Sequence, residues 1–296
     1  CTDDEKAGAK GVGQVLRLMV PAIFGVSIAQ INLLINTVLA SFLVTGSVSW
    51  LYYSDRLMEF PLGVFGVALA TVILPMLSRQ VAVSDNLNYC RTLDWALRLV
   101  FLICLPAAAG LAVLAFPLMV TLFQYGAFSA DDAVMAGRAL TAFAVGLTGF
   151  VLVKVLAPGF YARKDTRTPV VVGAIAMAVN ALVALVLVWH LMHVGLALAT
   201  SVAGLANAAL LYRKLKRLGH FKTGQAWGLF LGRVGVATIA MAAALHFFQG
   251  GQMEWLAATL AERVVRLLIL IIAGGIGYFG ALYLMRLQVH RLLERP

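Results

Sequence analysis

Apolar residues run along the chain in long blocks, and the polar residues collect between them. Eight blocks reach the roughly 20 residues that an α-helix needs to cross the hydrocarbon of a bilayer: 15–43, 47–77, 94–122, 130–157, 169–189, 195–212, 227–248 and 256–285. The pattern predicts an all-α membrane protein of eight transmembrane helices. Pro21, Pro61, Pro75, Pro106 and Pro117 fall inside these blocks and predict kinks, since each removes a backbone hydrogen bond. The polar stretch 80–94 is expected to lie along the membrane surface as a short amphipathic helix. Small residues recur every fourth position at Ala273, Gly277 and Ala281 and at Gly66 and Ala70, a spacing that lets helix backbones approach closely.

Composition agrees with the blocks. The 296 residues are 62% hydrophobic and 12% charged, with a mean hydropathy of +0.93, which excludes an ordinary soluble globule. The net charge of +10 does not signal a nucleic-acid partner, because the charge is dispersed between the membrane blocks instead of covering one face of a soluble fold. Alternate connections hold it: Lys6, Lys10 and Arg17, then Arg79 and Arg91, then Arg163, Lys164 and Arg167, then Arg213, Lys214, Lys216, Arg217 and Lys222, then Arg286, Arg291 and Arg295. By the positive-inside rule both ends of the chain are expected in the cytoplasm. The expected organisation is a cytoplasmic connection (1–14), a six-helix lobe (15–217), a linker (218–226), a two-helix hairpin (227–286) and a cytoplasmic tail (287–296).

Cys1, Cys90 and Cys104 have no paired spacing and predict neither a disulfide framework nor a metal site. Cys1 opens a polar stretch, CTDDEKAGAKG, that reads as a connection within a longer chain. His190 and His193 are three residues apart, with no further ligand near them in sequence.

The candidate chemistry lies in the second block, SWLYYSDRLMEFPLG. Ionisable groups inside a membrane-spanning segment are expensive unless paired or hydrated, and they commonly mark a substrate or ion path. On a helix Asp55 and Glu59 stack on one face below Tyr52, while Arg56 is offset by about 100° and reaches Glu59. Ser49 lies on nearly the same side as Arg56. The planar fork of Arg56 suits phosphate or carboxylate oxygens, and the flanking acids would tune its availability. A self-neutralised triad that locks one helix to another is the competing reading. Lys154, deep in the fourth block, either snorkels to the interface or faces a cavity. Arg138, Arg233, Arg263 and Arg266 lie near block ends, where interface anchoring is expected.

The stretch GSVSWLYYSDRLMEFPLGVFGVALATVILPMLSR resembles the signature region of the MurJ (MviN) family of lipid II flippases. LFQYGAFSADDA, VKVLAPGFYARKDTRTPV and the closing helices extend the likeness over essentially the whole chain. The resemblance implies half of a multidrug/oligosaccharidyl-lipid/polysaccharide exporter-type fold plus two extra C-terminal helices, matching family helices seven to fourteen, with an N-terminal lobe as the missing partner. It implies a transporter without cofactor, and not an enzyme, that moves undecaprenyl-pyrophosphate-linked peptidoglycan precursor across the bacterial inner membrane. Ser49, Asp55, Arg56 and Glu59 would contact the sugar-pyrophosphate head, with Tyr52 and Lys154 as further cavity residues, and the last two helices would hold the polyprenyl tail among membrane lipids. Some relatives bind sodium in this lobe through acids. Here the matching stretches INLLINTVLAS and MAVNALVALV offer Asn36 and Asn180, which with Thr200 make at most a weak cation site. Two readings compete: a polysaccharide-lipid or multidrug exporter on the same helix plan, and a membrane-embedded polyprenyl transferase using Asp55 and Glu59 as acid and base.

Overall fold

A computed structural model describes residues 30–219 and 227–287, and among these every regular element is helical. α1 (Gln30–Ser41) is followed by α2 (Ser47–Pro61), a six-residue π-helical turn (Leu62–Val67) and α3 (Ala68–Ala82), which form one rod of 36 residues. Then come α4 (Asn86–Val113), α5 (Ala115–Phe123), α6 (Ala130–Tyr161), α7 (Arg167–Arg217), α8 (Trp227–Phe248), the short α9 (Gln252–Ala257) and α10 (Leu260–Leu284). Six of these helical stretches are long and apolar enough to cross a membrane.

α7 is two antiparallel arms. Its 51 residues are interrupted at Met192 by φ 50°, ψ −130°, and the chain folds back so tightly that a Cβ on Gly195 would stand 2.6 Å from the Leu187 carbonyl oxygen. A straight helix would separate Asn180 from Thr200 by about 30 Å, yet both hydrogen-bond to Asn36. The two blocks 169–189 and 195–212 are therefore separate passes joined by a reversal. The first predicted block is described only from residue 30, and Pro21 lies outside the described residues, as do 1–14, 220–226 and the tail beyond Leu287.

Proline acts differently at each site. Pro61 immediately precedes the π-turn, where the chain widens to absorb the lost hydrogen bond. Pro75 and Pro106 sit inside α3 and α4, which continue past them. The predicted span 94–122 is broken at Leu114, three residues before Pro117, and Thr141 on α6 donates to the Ala112 carbonyl beside that break. The segment 80–94 is not a surface helix: the chain turns at 83–85 and α4 starts at Asn86. Asp85 caps it by accepting from the Asn88 amide, which lowers the carboxyl pKa. The early α4 residues that looked amphipathic are held in the lobe, with Tyr89 buried and donating to the Gly159 carbonyl at 2.8 Å.

α6 is the central pillar, packed against α2, α4, α5 and α7. Its small residues admit neighbouring backbones. A Cβ on Gly146 would lie 2.6 Å from Ser201 Cα, and one on Gly149 would lie 2.8 Å from the Leu205 nitrogen. Side chains then pin the helices through otherwise satisfied carbonyls: Ser54 to Ala136 and Ser201 to Ala142, each at 2.7 Å. At one end Trp50 donates to Asp132 at 2.7 Å.

The α8–α10 hairpin is fastened to the lobe at three levels. Trp227 donates to Asp94 at 2.7 Å, and Asp94 also accepts from Arg98 at 2.8 Å. Tyr278 donates to the Leu102 carbonyl at 2.7 Å. Arg263, expected as an interface anchor, is instead buried and bonded to Gln124 and the Leu256 carbonyl at 2.9 Å. Gln124 is within its reach because α5 packs against α10.

Gly146→Ala should therefore destabilise the protein by about 1–3 kcal/mol through overpacking against Ser201, whereas Gly235→Ala, with nothing within 4 Å of the added carbon, should not. Thermal unfolding of the detergent-purified proteins, followed by tryptophan fluorescence, distinguishes the two.

Candidate functional site

α2 is two-faced. Ser54, Met58 and Pro61 are buried in the lobe, and the opposite side presents Ser49, Tyr52, Arg56 and Glu59. Arg56 Nη1 lies 2.7 Å from Glu59 Oε2, with the two side chains 56% and 49% exposed. The guanidinium carbon stands 5.0 Å from the centre of the Tyr52 ring. These exposures decide against a sealed triad: the pair is open on the face turned away from the lobe core. An exposed ion pair contributes little stability, so Glu59 holds the guanidinium in place without committing it, and its other N–H groups remain available to an anion.

Asp55 does not share that arrangement. It turns toward a cavity of about 400 Å³ lined also by Asn32, Asn36, Thr37, Tyr52, Phe143 and Thr200, and it makes no hydrogen bond to the described residues. The sequence places Asp55 and Glu59 on one face one turn apart, but packing of α1 and α7 beside α2 divides them, one acid facing inward and the other outward.

The three residues weighed for a cation do meet. Asn180 Nδ2 donates to Asn36 Oδ1 at 3.1 Å, and Asn36 Nδ2 donates to Thr200 Oγ1 at 3.2 Å. Sequence reasoning missed Asn32, whose Oδ1 accepts from Asn180 at 2.7 Å. Its signal was present, since Asn32 precedes Asn36 by four residues in an apolar helix and must share its face.

Lys154 borders a second cavity of about 720 Å³, with Asn32, Tyr161, Thr200 and Asn207 among its walls. Its stem crosses Gly66, where a Cβ would approach Lys154 Cδ to 2.9 Å. Asn207 was also missed, and its buried Oδ1 has no hydrogen-bond partner among the described residues. His193 is buried, 3.1 Å from the Met135 carbonyl, with its ring 4.8 Å from that of Trp50, whereas His190 is exposed. The described residues contain no group of three or more His, Cys, Asp or Glu that could hold a metal.

Between α8 and α10 runs an apolar groove of about 870 Å³, lined by Met241, Leu245, Phe248, Leu270, Gly274 and Gly277, with Arg266 at one end. The small-residue spacing of α10 serves this groove. Nothing lies within 4 Å of a Cβ on Gly277, so Ala273 and Gly277 leave open space at this face. Arg266 is paired with Glu254 at 2.7 Å and lies over Trp255.

Comparison with known proteins gives consistent results. The family model described as lipid II flippase MurJ matches residues 5–266. The chain is 44% identical to the probable lipid II flippase MurJ of Haemophilus influenzae over 97% of its own length and 57% of that protein's. It is 40% identical to the lipid II flippase MurJ of Burkholderia cenocepacia over 93% of this chain and 54% of the relative. The chain thus spans about half the length of the curated relatives it matches. Among solved structures, lipid II flippase MurJ in an inward closed conformation superposes with a TM-score of 0.74 at 23% identity, over 94% of this chain and 56% of the other. An outward-facing multidrug resistance MATE family transporter of the MOP superfamily gives 0.54 at 18% identity, over 90% and 64%. The fold is that of the MurJ and MOP-superfamily transporters, and with the family model matched over most of its length and relatives 40–44% identical to it, the chain belongs to the lipid II flippase MurJ family.

Proposed function

We propose that this chain works as the C-terminal portion of a lipid II flippase, which carries undecaprenyl-pyrophosphate-linked disaccharide-pentapeptide from the inner to the outer leaflet of the bacterial inner membrane by alternating access. The observation that carries the reading is the open Arg56–Glu59 pair, a cation at membrane depth on a face that the lobe does not cover. In this reading Arg56 binds the pyrophosphate, Glu59 and Tyr52 hold the guanidinium ready, Ser49 adds a hydroxyl on the same face, and an N-terminal lobe supplies the opposite wall. The α8–α10 groove has the apolar lining that a polyprenyl tail requires, so the head would cross a polar space while the tail stays in lipid. The charge distribution between blocks supports cytoplasmic placement of both ends of the chain.

The transferase reading needs Asp55 and Glu59 to act on one substrate as acid and base. Asp55 faces an interhelical cavity and Glu59 faces outward beside Arg56, which favours transport. Asp55 and Lys154 instead border two cavities that share Asn32 and Thr200 as walls, and we assign them to the interior of the lobe.

In the full-length protein reconstituted in vesicles, Arg56→Ala should slow lipid II translocation by about 10- to 150-fold, the loss of a charge-assisted hydrogen bond of about 1.5–3 kcal/mol, with membrane abundance unchanged. Undiminished translocation would refute the assignment of Arg56, and disappearance of the protein from the membrane would favour a packing role. Gly277→Phe, which fills the groove, should reduce translocation while leaving the unfolding temperature close to that of the parent, because the added ring enters open space. Equal translocation by this variant would remove the tail from the groove.

A further inference from the structure

The interior of the lobe contains a polar cluster with an unusual centre. Asn180 is fully buried, and its Nδ2 donates to two amide oxygens on α1, Asn32 Oδ1 at 2.7 Å and Asn36 Oδ1 at 3.1 Å. Asn36 in turn donates to Thr200 Oγ1 at 3.2 Å, which donates to the Leu196 carbonyl at 3.0 Å. The cluster thus ties α1 to both arms of α7 through neutral groups.

Two side-chain oxygens of one helix, Asn32 Oδ1 and Asn36 Oδ1, converge on a single point, as oxygens do around an alkali cation. The resemblance noted above makes sodium the ion to test against it, and the residues do not fit. The point of convergence is held by the Asn180 nitrogen, and none of the four bonded side chains carries a negative charge. Asp55 lines the same cavity as Asn32, Asn36 and Thr200 but hydrogen-bonds to none of the four, so its carboxylate stands outside the cluster. Turning the Asn180 amide over to admit an ion would exchange two N–H···O bonds for opposed oxygens. We infer that the Asn180 amide takes the place of an ion in this lobe, as a clasp that works without any cation. The N–H pair does what a bound cation would do: it presents positive charge to both α1 oxygens. The two remaining contacts, through Asn36 and Thr200, extend the clasp to the second arm. Asn180 Oδ1 is buried with no partner among the described residues, consistent with a geometry set by the nitrogen side of the amide.

This inference is independent of what the protein transports. The test is the unfolding temperature of the full-length, detergent-purified protein in sodium chloride, potassium chloride and choline chloride at equal ionic strength. The parent protein should unfold at one temperature in all three salts. Asn180→Asp removes both N–H donors and sets a carboxylate against two amide oxygens, so its unfolding temperature should fall in choline and recover by several degrees on titration with sodium. Asn180→Leu should be destabilised equally in every salt. A saturable, sodium-specific stabilisation of the parent protein would overturn the clasp and show an ion at this point. That measurement decides the matter even where the aspartate variant fails to fold.

Discussion

The lipid interior offers no water to hydrogen-bond a loosened backbone, so every departure from helical geometry must be compensated by protein groups nearby. This constraint governs the whole lobe. The π-turn after Pro61 lies against α6 and the stem of Lys154, and the break at Leu114 has Thr141 beside its loosened carbonyl. α6 answers most of these demands because its small residues let the neighbouring helices close in, and its carbonyls accept from Ser54 and Ser201.

The same constraint sorts the polar side chains. Many polar groups facing the lobe interior are neutral and bonded to one another, as in the Asn32, Asn36, Asn180 and Thr200 cluster, while the interior charges Asp55 and Lys154 border cavities. Other charges are exposed, as with Arg56 and Glu59, paired, as with Asp94 and Arg98, or held by neutral acceptors, as with Arg263. Burying an ion pair costs several kcal/mol in desolvation. An amide network joins three helical segments without that penalty, whereas an exposed guanidinium lightly held by a carboxylate keeps its electrostatic attraction for anions. The exposed pair and the cavity thus adjoin on α2, with Tyr52 bordering both.

The hairpin α8–α10 repeats the division on a larger scale. One side is fixed to the lobe by Trp227, Tyr278 and Arg263, and the other is left as an apolar groove. Fastening at three levels makes the groove part of the lobe's rigid frame, so a chain lying in it would move with the lobe that carries Arg56.

The sequence by itself determined the helical membrane architecture, the strip of Ser49, Tyr52, Arg56 and Glu59 on one face of α2, and the family, because hydropathy, helical spacing and an unbroken motif are properties of contiguous residues. Tertiary structure alone decided that Asp55 borders a cavity with Asn32, Asn36 and Thr200, since α1 and α7 pack beside that edge of α2. It also decided that Arg263 is buried, that the α10 stripe opens into a groove, and that Asn36, Asn180 and Thr200 share a centre with Asn32. Those outcomes depend on which helices lie side by side, and contact between separate helices leaves no mark in the periodicity of either one.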